Sequence, residues 1–224
     1  MQAFALIKFF SEEQHLRWLR DGSLMFRTPH YYRRCEDAGR GDRDESCILY
    51  RDKKLGDDMP FLSINRPSFD VSSIESILLH PSSEPSDSWM QSWCVVGKFN
   101  DFELSLSRML DEFGCYFALL PASKIESYAE SLQRATGLNV SYGFMRYTGN
   151  ALERSLCVKD EKFEYQKEFR FYVGMCDKYE VLDKQIHLTG MPNLLSQARS
   201  LKFESPNGDI IYCSTGSKTV VQAR

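Results

Sequence analysis

The stretch FEYQKEFRFYVG, residues 163–174, alternates aromatic and polar side chains with the period of two that predicts a β-strand. One face would carry Phe163, Tyr165, Lys167, Phe169, Phe171 and Val173, and the other would carry Glu164, Gln166, Glu168, Arg170 and Tyr172. The alternation predicts that the aromatic face is buried and that Glu168 and Arg170 point the opposite way. Two interpretations of the polar face stay open: a solvent-facing surface with a cross-strand salt bridge, or the wall of a cleft.

Strand-like runs outnumber helical ones along the rest of the chain, and many are too close in sequence for a crossover helix. We therefore expect an α+β fold: a single domain over residues 1–224, with a mixed or largely antiparallel sheet and several short helices. The segment HPSSEPSDS, residues 80–88, has the composition of a surface loop. Further predicted strands are FALIKFF, SLMFR, SCILYRD, MPFLSIN, WMQSWCVVGKF, CYFALLP, LNVSYGFMRY, YEVLDKQIHL and GDIIYCS, and a weak helix is predicted near NLLSQARS.

Helix boundaries are predicted from capping patterns. Thr28 followed by Pro29 predicts an N-cap and the first position of a short helix. Capping boxes are predicted at Ser11 with Gln14, at Asn100 with Glu103, and at Ser123 with Glu126. The three corresponding helices are predicted to end at Gly22, Gly114 and Gly137.

The composition sets limits on function. A net charge of -3 over 224 residues gives no general attraction to nucleic acid or to an anionic membrane. The seven cysteines are scattered and contain no C-x-x-C, which favours reduced thiols, a cytoplasmic location and no structural metal site. We expect no membrane association, because no apolar run approaches the length of a bilayer span. Familiar nucleotide, hydrolase and metalloprotease motifs do not occur.

The segment YYRRCEDAGRGDRDES, residues 31–46, concentrates charges of both signs, and all of its cations are arginines. A guanidinium can grip a carboxylate or a phosphate with two bonds. One interpretation is an internal brace in which the segment's arginines pair with its own carboxylates. The other is a ligand site, because adjacent tyrosines beside guanidinium groups suit a ring with phosphates. For the unliganded protein we predict that Arg33 or Arg40 pairs bidentately with Glu36, Asp42, Glu45 or Glu168. The arginines are Arg33, Arg34, Arg40 and Arg43, and the carboxylates are Glu36, Asp37, Asp42, Asp44 and Glu45.

Three motifs, together with an N-terminal aromatic strand, resemble those of a large family of uncharacterised bacterial domains found near mobile-element and phage-defence genes. The motifs are the G-x-L-x-F strand, here GSLMF; the segment YYRRCEDAGRGDRDE; and the late Y-x-x-E-x-R strand, here YQKEFR. The match spans Lys8 to Tyr172, and the last two motifs are its specific ones. The resemblance implies a role in a defence, toxin or mobile-element system, without specifying a reaction.

The order of elements is also distantly similar to ADP-ribosyltransferases, which use aromatic residues around nicotinamide and a catalytic glutamate on a late strand. This similarity implies NAD as the cofactor, with Tyr31 or Tyr32 stacking on nicotinamide and Arg33 or Arg40 holding the pyrophosphate. It implies Glu168, with Arg170 beside it, as the catalytic pair. The first strand has no H-x-T or R-x-T/S motif, and Gln166 stands where many members have a second glutamate.

Two functions of different classes remain open. The first is an NAD-dependent ADP-ribosyltransferase-like effector with a protein or nucleic-acid acceptor. The second is a non-enzymatic protein that binds a protein partner, in which the Arg/carboxylate cluster is a structural brace. We expect the segment 31–45 and the strand 164–172 to converge on one cleft if the ligand-site interpretation holds, and to be separated by core if it does not.

Overall fold

The computed structural model describes residues 3–36, 39–60, 71–97, 102–204, 210–217 and 221–223. The helices are α1 Glu13–Arg20, α2 Pro29–Arg34, α3 Phe102–Phe113, α4 Ile125–Thr136 and α5 Met191–Leu194. The strands are β1 Ala3–Phe10, β2 Ser23–Phe26, β3 Leu49–Asp52, β4 Ser76–Leu79, β5 Asp87–Gly97, β6 Tyr116–Pro121, β7 Val140–Phe144, β8 Arg146–Thr148, β9 Val158–Asp160, β10 Glu168–Cys176, β11 Lys184–His187, β12 Ser200–Glu204, β13 Ile210–Ser214 and β14 Val221–Ala223.

The central sheet has the strand order β6-β1-β5-β10-β7, and all of its pairs are antiparallel. Among the described strands, only β8 and β9 pair in parallel. This architecture confirms the predicted α+β fold with a largely antiparallel sheet. Neighbouring strands of the central sheet are far apart in sequence. Even the nearest pair, β7 and β10, is separated by residues 145–167, so the antiparallel pairing does not follow from short connections.

Both faces of the central sheet are covered. Leu6 on β1 joins a core with α1, α4, β2 and β11, whereas Ile7 joins a second core with α3 on the other face. Because both faces are buried, β1 reads as an almost continuous apolar run instead of an alternating one. Lys8 is the only charged residue in that run.

The faces of β10 agree with the predicted alternation from Glu168 onward. Phe169, Phe171 and Val173 lie in the first core, while Glu168 and Arg170 lie on the opposite face. The prediction that the strand begins at Phe163 is wrong. Residues Glu161–Gln166 form a 3₁₀ helix, and Lys167, with a φ of 41°, changes the chain direction before the strand starts. Phe163 is buried there, and Tyr165 is half-buried.

Some of the predicted helix caps are confirmed and others are wrong. Thr28 caps α2 by accepting from the Tyr31 amide, with Pro29 in the first turn, as predicted. Two capping boxes are wrong, because α1 is preceded by Glu12 and α4 by Lys124, and neither side chain makes a capping hydrogen bond. The third box depends on Asn100, which lies outside the described residues. The three predicted terminal glycines, Gly22, Gly114 and Gly137, all adopt positive φ at the ends of their helices.

Three smaller predictions also have outcomes. The loop predicted over residues 80–88 ends at residue 86, because β5 begins at Asp87, whose side chain is buried. The helix near NLLSQARS is limited to α5, which stops at Leu194. Of the strand predicted in MPFLSIN, Met59 and Pro60 are not in a strand, and residues 61–65 lie outside the described part of the chain.

Candidate functional site

The central sheet splits between β1 and β5, and a cleft occupies the split. Backbone pairing of β1 with β5 ends at Ile7 opposite Cys94, whereas β1 continues alongside β6 to Phe10. Farther along the same edge of β5, Arg27 pairs with Met90. The edge of β5 between these two contacts borders a cavity of about 330 Å³, which we call the sheet cleft.

The sheet cleft combines aromatic rings with charged groups. His15 and Trp18 of α1 contribute rings whose centroids lie 5.1 Å apart, and half of the Trp18 surface is exposed. Among the described lining residues, cationic side chains outnumber carboxylates. The charged lining groups are Lys8, Arg27, Arg40, Lys159, Arg170, Glu45 and Glu168. The lining is therefore suited to an anionic ligand that also carries rings.

One wall of the cleft is an ionic network that we call the Glu168 cluster: Glu45, Lys159, Glu168 and Arg170. Arg170 donates from Nη1 and Nη2 to the two oxygens of Glu45 at 2.7 and 2.9 Å. It also donates from Nε to Glu168 Oε1 at 2.7 Å, and Lys159 Nζ donates to Glu168 Oε2 at 3.4 Å. Glu168 is 5% exposed and Arg170 is 1% exposed. Each carboxylate is thus desolvated and held by cations.

These contacts fix the charge state of the cluster. Burial by itself would raise the pKa of Glu168, but the charges of Arg170 and Lys159 outweigh it and hold that pKa well below its usual range. Burial would likewise lower the pKa of Arg170, yet Glu168 and Glu45 raise it well above the ordinary value. Glu168 is consequently ionised at neutral pH.

A second network, which we call the Arg33 brace, consists of Arg33, Ser46, Asp87 and Lys178. Arg33 Nη2 donates to Asp87 Oδ2 at 2.8 Å, and Lys178 Nζ donates to Asp87 Oδ1 at 2.7 Å. The Ser46 hydroxyl donates to Asp87 Oδ1 at 2.6 Å. Arg33 also donates from Nε to the carbonyl of Glu45 at 2.7 Å. The brace therefore holds the backbone of Glu45, and this placement sets the carboxylate of Glu45 against Arg170.

The structure separates the two predicted tyrosines and the two predicted arginines. Tyr32 and Arg40 line the sheet cleft together with the predicted catalytic residues Glu168 and Arg170. Tyr31 is not among the lining residues; it packs edge-on against Tyr32 and lies under the guanidinium of Arg27 at 4.0 Å.

Arg33 requires a correction. Its side chain is fully buried, and all three guanidinium nitrogens donate to protein acceptors, the third being the carbonyl of Lys178 at 2.6 Å from Nη1. The geometry therefore argues against the predicted role of Arg33 in holding a pyrophosphate.

The predicted ion pairs were assigned to the wrong partners. Arg33 pairs with Asp87, outside its own segment, and the bidentate arginine is Arg170. Arg40 Nη2 lies 3.5 Å from the carbonyl of Phe113. The remaining prediction about this segment, a charge at Asp37 within the brace, falls outside the described residues. Two of the segment's carboxylates pair with cations outside the segment: Glu45 with Arg170 and Lys159, and Asp44 with Arg51 and Arg154.

Residues 31–45 and strand β10 converge on the sheet cleft. Glu45 contacts Arg170, and the Gln166 amide donates to the carbonyl of Gly39 at 2.7 Å. This is the arrangement expected for the ligand-site interpretation. The same contacts are also internal pairs, which the brace interpretation expects.

Sequence reasoning did not assign a role to Lys8, Asp87, Lys159 or Lys178. Lys8 had a usable signal, because a lone lysine in an apolar strand is unusual unless its head group reaches a polar space. Its Nζ donates to the carbonyl of Ser92 at 2.8 Å, on the edge of β5 that borders the cleft. For Asp87 the local sequence was misleading, because it follows a run of loop residues and would be expected to lie on the surface. The other two lysines have no local signature.

Comparisons with known proteins give no relative. A scan of family models finds no matching family, and neither the curated proteins nor the solved structures contain a match. Within the described residues, no helix is long and apolar enough to cross a membrane. In the same part of the chain, no group of three or more His, Cys, Asp or Glu side chains is arranged to hold a metal ion.

Proposed function

We propose that the chain binds NAD in the sheet cleft and transfers ADP-ribose from it to a protein or nucleic-acid acceptor, as an effector of a bacterial defence, toxin or mobile-element system. The observation that carries the proposal is the convergence, on one cleft, of aromatic rings, cations and an ionised carboxylate. Rings suit the adenine and nicotinamide groups, and cations suit the pyrophosphate. The biological setting rests on the resemblance of the three sequence motifs.

The residues divide into binding and reacting groups. Tyr32 and Trp18 contribute aromatic rings to the lining of the cleft, and Lys8, Arg27 and Arg40 contribute positive charge for phosphate oxygens. Glu168 is the ionised carboxylate suited to stabilise positive charge on the ribose as the bond to nicotinamide breaks and its electron pair leaves with nicotinamide. Arg170 and Lys159 keep Glu168 ionised and fix its position. They also neutralise part of its charge, so its catalytic contribution depends on short contact with the ribose.

A second candidate function is a non-enzymatic protein that binds a protein partner. It is favoured by the saturation of both ionic networks: the donors of Arg33 and Arg170 are directed at acceptors of the protein itself. In that case both networks act as structural braces, and the cleft has no role in a reaction.

The test is to incubate the protein with NAD labelled in the adenine ring and with protein, RNA or DNA acceptors, and to measure nicotinamide release and label transfer. Glu168→Gln should lower the rate at least about 100-fold, because it removes a charge that acts mainly in the transition state. Glu164→Gln is the matched control. Glu164 lies on the neighbouring 3₁₀ helix, is exposed, and pairs only with Lys167 among the described ion pairs.

Two outcomes would contradict the proposal. Equal turnover of Glu168→Gln and wild type would remove Glu168 from the reaction. No nicotinamide release with any acceptor, together with no rise in melting temperature on adding NAD, would favour the partner-binding function.

A further inference from the structure

Lys8 occupies the position where the central sheet splits. It is the first residue of β1 beyond the last pair with β5, and its Nζ reaches across the gap to the Ser92 carbonyl. The residue is half-buried and lines the sheet cleft. An ammonium group has three N–H donors, and the Ser92 carbonyl is the one hydrogen-bond acceptor found for it among the described residues. The ammonium group therefore lies at the cleft with N–H donors available to a ligand.

The charges around Lys8 are of both signs. None of the ion pairs between described residues includes Lys8, because the carboxylates of the cleft are engaged by Arg170 and Lys159. The charged and titratable groups near Lys8 are Cys94 on β5, Glu168 on β10, Arg27 after β2 and Arg40 in the segment after α2, with His15 and Tyr32 also lining the cleft.

This environment disfavours the charged form of Lys8. Burial is the main cause, and the repulsion from Arg27 and Arg40 adds to it, so that the pKa falls to about 8 even though the charge of Glu168 opposes the change. Burial raises the pKa of the neighbouring Cys94 to about 12, so its thiol stays protonated at neutral and mildly alkaline pH. An anion beside the three cations would offset the repulsion from Arg27 and Arg40 and stabilise the charged form of Lys8.

We propose that Lys8, together with Arg27 and Arg40, forms a phosphate-binding subsite in the split between β1 and β5, and that a bound phosphate draws a proton from solvent onto Lys8. The subsite rests on the proposed function only in that a phosphate-bearing ligand enters the sheet cleft; it does not require NAD or catalysis. Binding would then weaken as the pH rises through the range in which Lys8 loses its proton.

The experiment measures binding of ADP-ribose by isothermal titration calorimetry, with sulfate as a second, ring-free probe. Neither anion titrates between pH 7 and pH 9, so a change in affinity there belongs to the protein. We expect the Kd for ADP-ribose to rise about tenfold from pH 7 to pH 9. At pH 8, buffers of different ionisation enthalpy should report uptake of about half a proton per ligand.

Two substitutions at one position isolate the lysine. Lys8→Arg should keep tight binding and lose the pH dependence, because a guanidinium stays charged over this range. Lys8→Met should bind at least about tenfold more weakly at pH 7 and show no proton uptake. Lys124→Met, which removes the same charge from an exposed position outside the cleft, should bind as wild type does.

The outcomes separate this subsite from the proposed function. Wild-type affinity in Lys8→Met, an unchanged pH slope in Lys8→Arg, or no binding of either anion by the wild type would overturn the subsite. Proton-linked binding of ADP-ribose and sulfate without any turnover of NAD would uphold the subsite and overturn the proposed reaction.

Discussion

The Arg33 brace and the Glu168 cluster are built from the same residue types, but they differ in net charge and in surroundings. In the brace, one carboxylate, Asp87, serves the two cations Arg33 and Lys178. In the cluster, the two carboxylates Glu45 and Glu168 serve Arg170 and Lys159. The cluster borders the sheet cleft, and the residues of the brace do not line that cleft.

This difference predicts how well each network tolerates the loss of a charged group or the binding of a ligand. The brace has no second carboxylate, so losing Asp87 leaves two buried cations together without a counter-charge. A cluster with matched charges keeps an ion pair after losing one partner, and the cavity lets water approach. We therefore expect the brace to determine stability and the cluster to tolerate the adjustments that ligand binding requires.

The largest expected effect is on the brace. Asp87→Asn should lower the free energy of unfolding by about 3–5 kcal/mol, because it leaves Arg33 and Lys178 buried without a counter-charge. Chemical denaturation at pH 7 measures the change. Glu13→Gln is the control, since its pair with Arg17 is exposed and should cost under about 1 kcal/mol. Similar losses in the two variants would show that the brace is not a special determinant of stability.

Mild acid should destabilise the fold through His30, which lies near Arg33, before it affects the Glu168 cluster. His30 is buried between the rings of Tyr50 and Tyr179, and burial, with the charges of Arg33 and Arg34, lowers its pKa from 6.5 to about 4. Below pH 6.5 His30 is protonated in the unfolded chain, whereas in the folded chain it stays neutral until about pH 4. Stability should therefore fall by about 2–3 kcal/mol as the pH drops from 6.5 to 4.

His30→Phe keeps an aromatic ring at this position and removes the titrating group. Denaturation curves at several pH values should show a shallower loss for the variant between pH 6.5 and pH 4. A parallel loss in wild type and variant would assign the acid sensitivity to other groups.

Removing one carboxylate from the cluster should have a smaller effect on stability. Glu168→Gln leaves Arg170 paired with Glu45, so we expect a loss of about 1–3 kcal/mol at pH 7. Because the folded-state pKa of Glu168 is lowered, its ionic contribution is present above the ordinary carboxylate pKa and is lost as the pH falls below it. The difference from wild type should thus shrink below about pH 4.5. A loss as large as that of Asp87→Asn would remove the distinction between the two networks.

The smallest expected effect separates the adjacent tyrosines. Tyr32→Leu should weaken ADP-ribose binding several-fold, because Tyr32 lines the cleft and a ring contact contributes about 0.5–1.5 kcal/mol. Tyr31→Leu should change binding less, since Tyr31 contacts Tyr32 and Arg27 without lining the cleft. Titration of both variants with ADP-ribose at pH 7 makes the comparison. A larger effect at Tyr31 would indicate that the ligand binds elsewhere.

Local sequence patterns predicted much of the fold. The positive-φ glycines at helix ends and the Thr28-Pro29 helix start follow from interactions within a few residues, and each was predictable. The capping boxes at Ser11 and Ser123 failed because each N-cap lies one residue later, at Glu12 and Lys124, in helices whose Leu16 and Tyr128 pack into the core. Packing of an apolar face outweighs a single cap.

The sequence by itself determined which face of β10 carries Glu168 and Arg170, because side-chain direction along a strand alternates whatever the neighbours are. It could not determine their partners. Arg170 and Glu45 are 125 positions apart, and Arg33 and Asp87 are 54 positions apart, so those contacts exist only once the strands have assembled. The sheet cleft is likewise a tertiary feature. It exists because β1 leaves β5 after Ile7 and follows β6, and that divergence depends on the packing of three strands together.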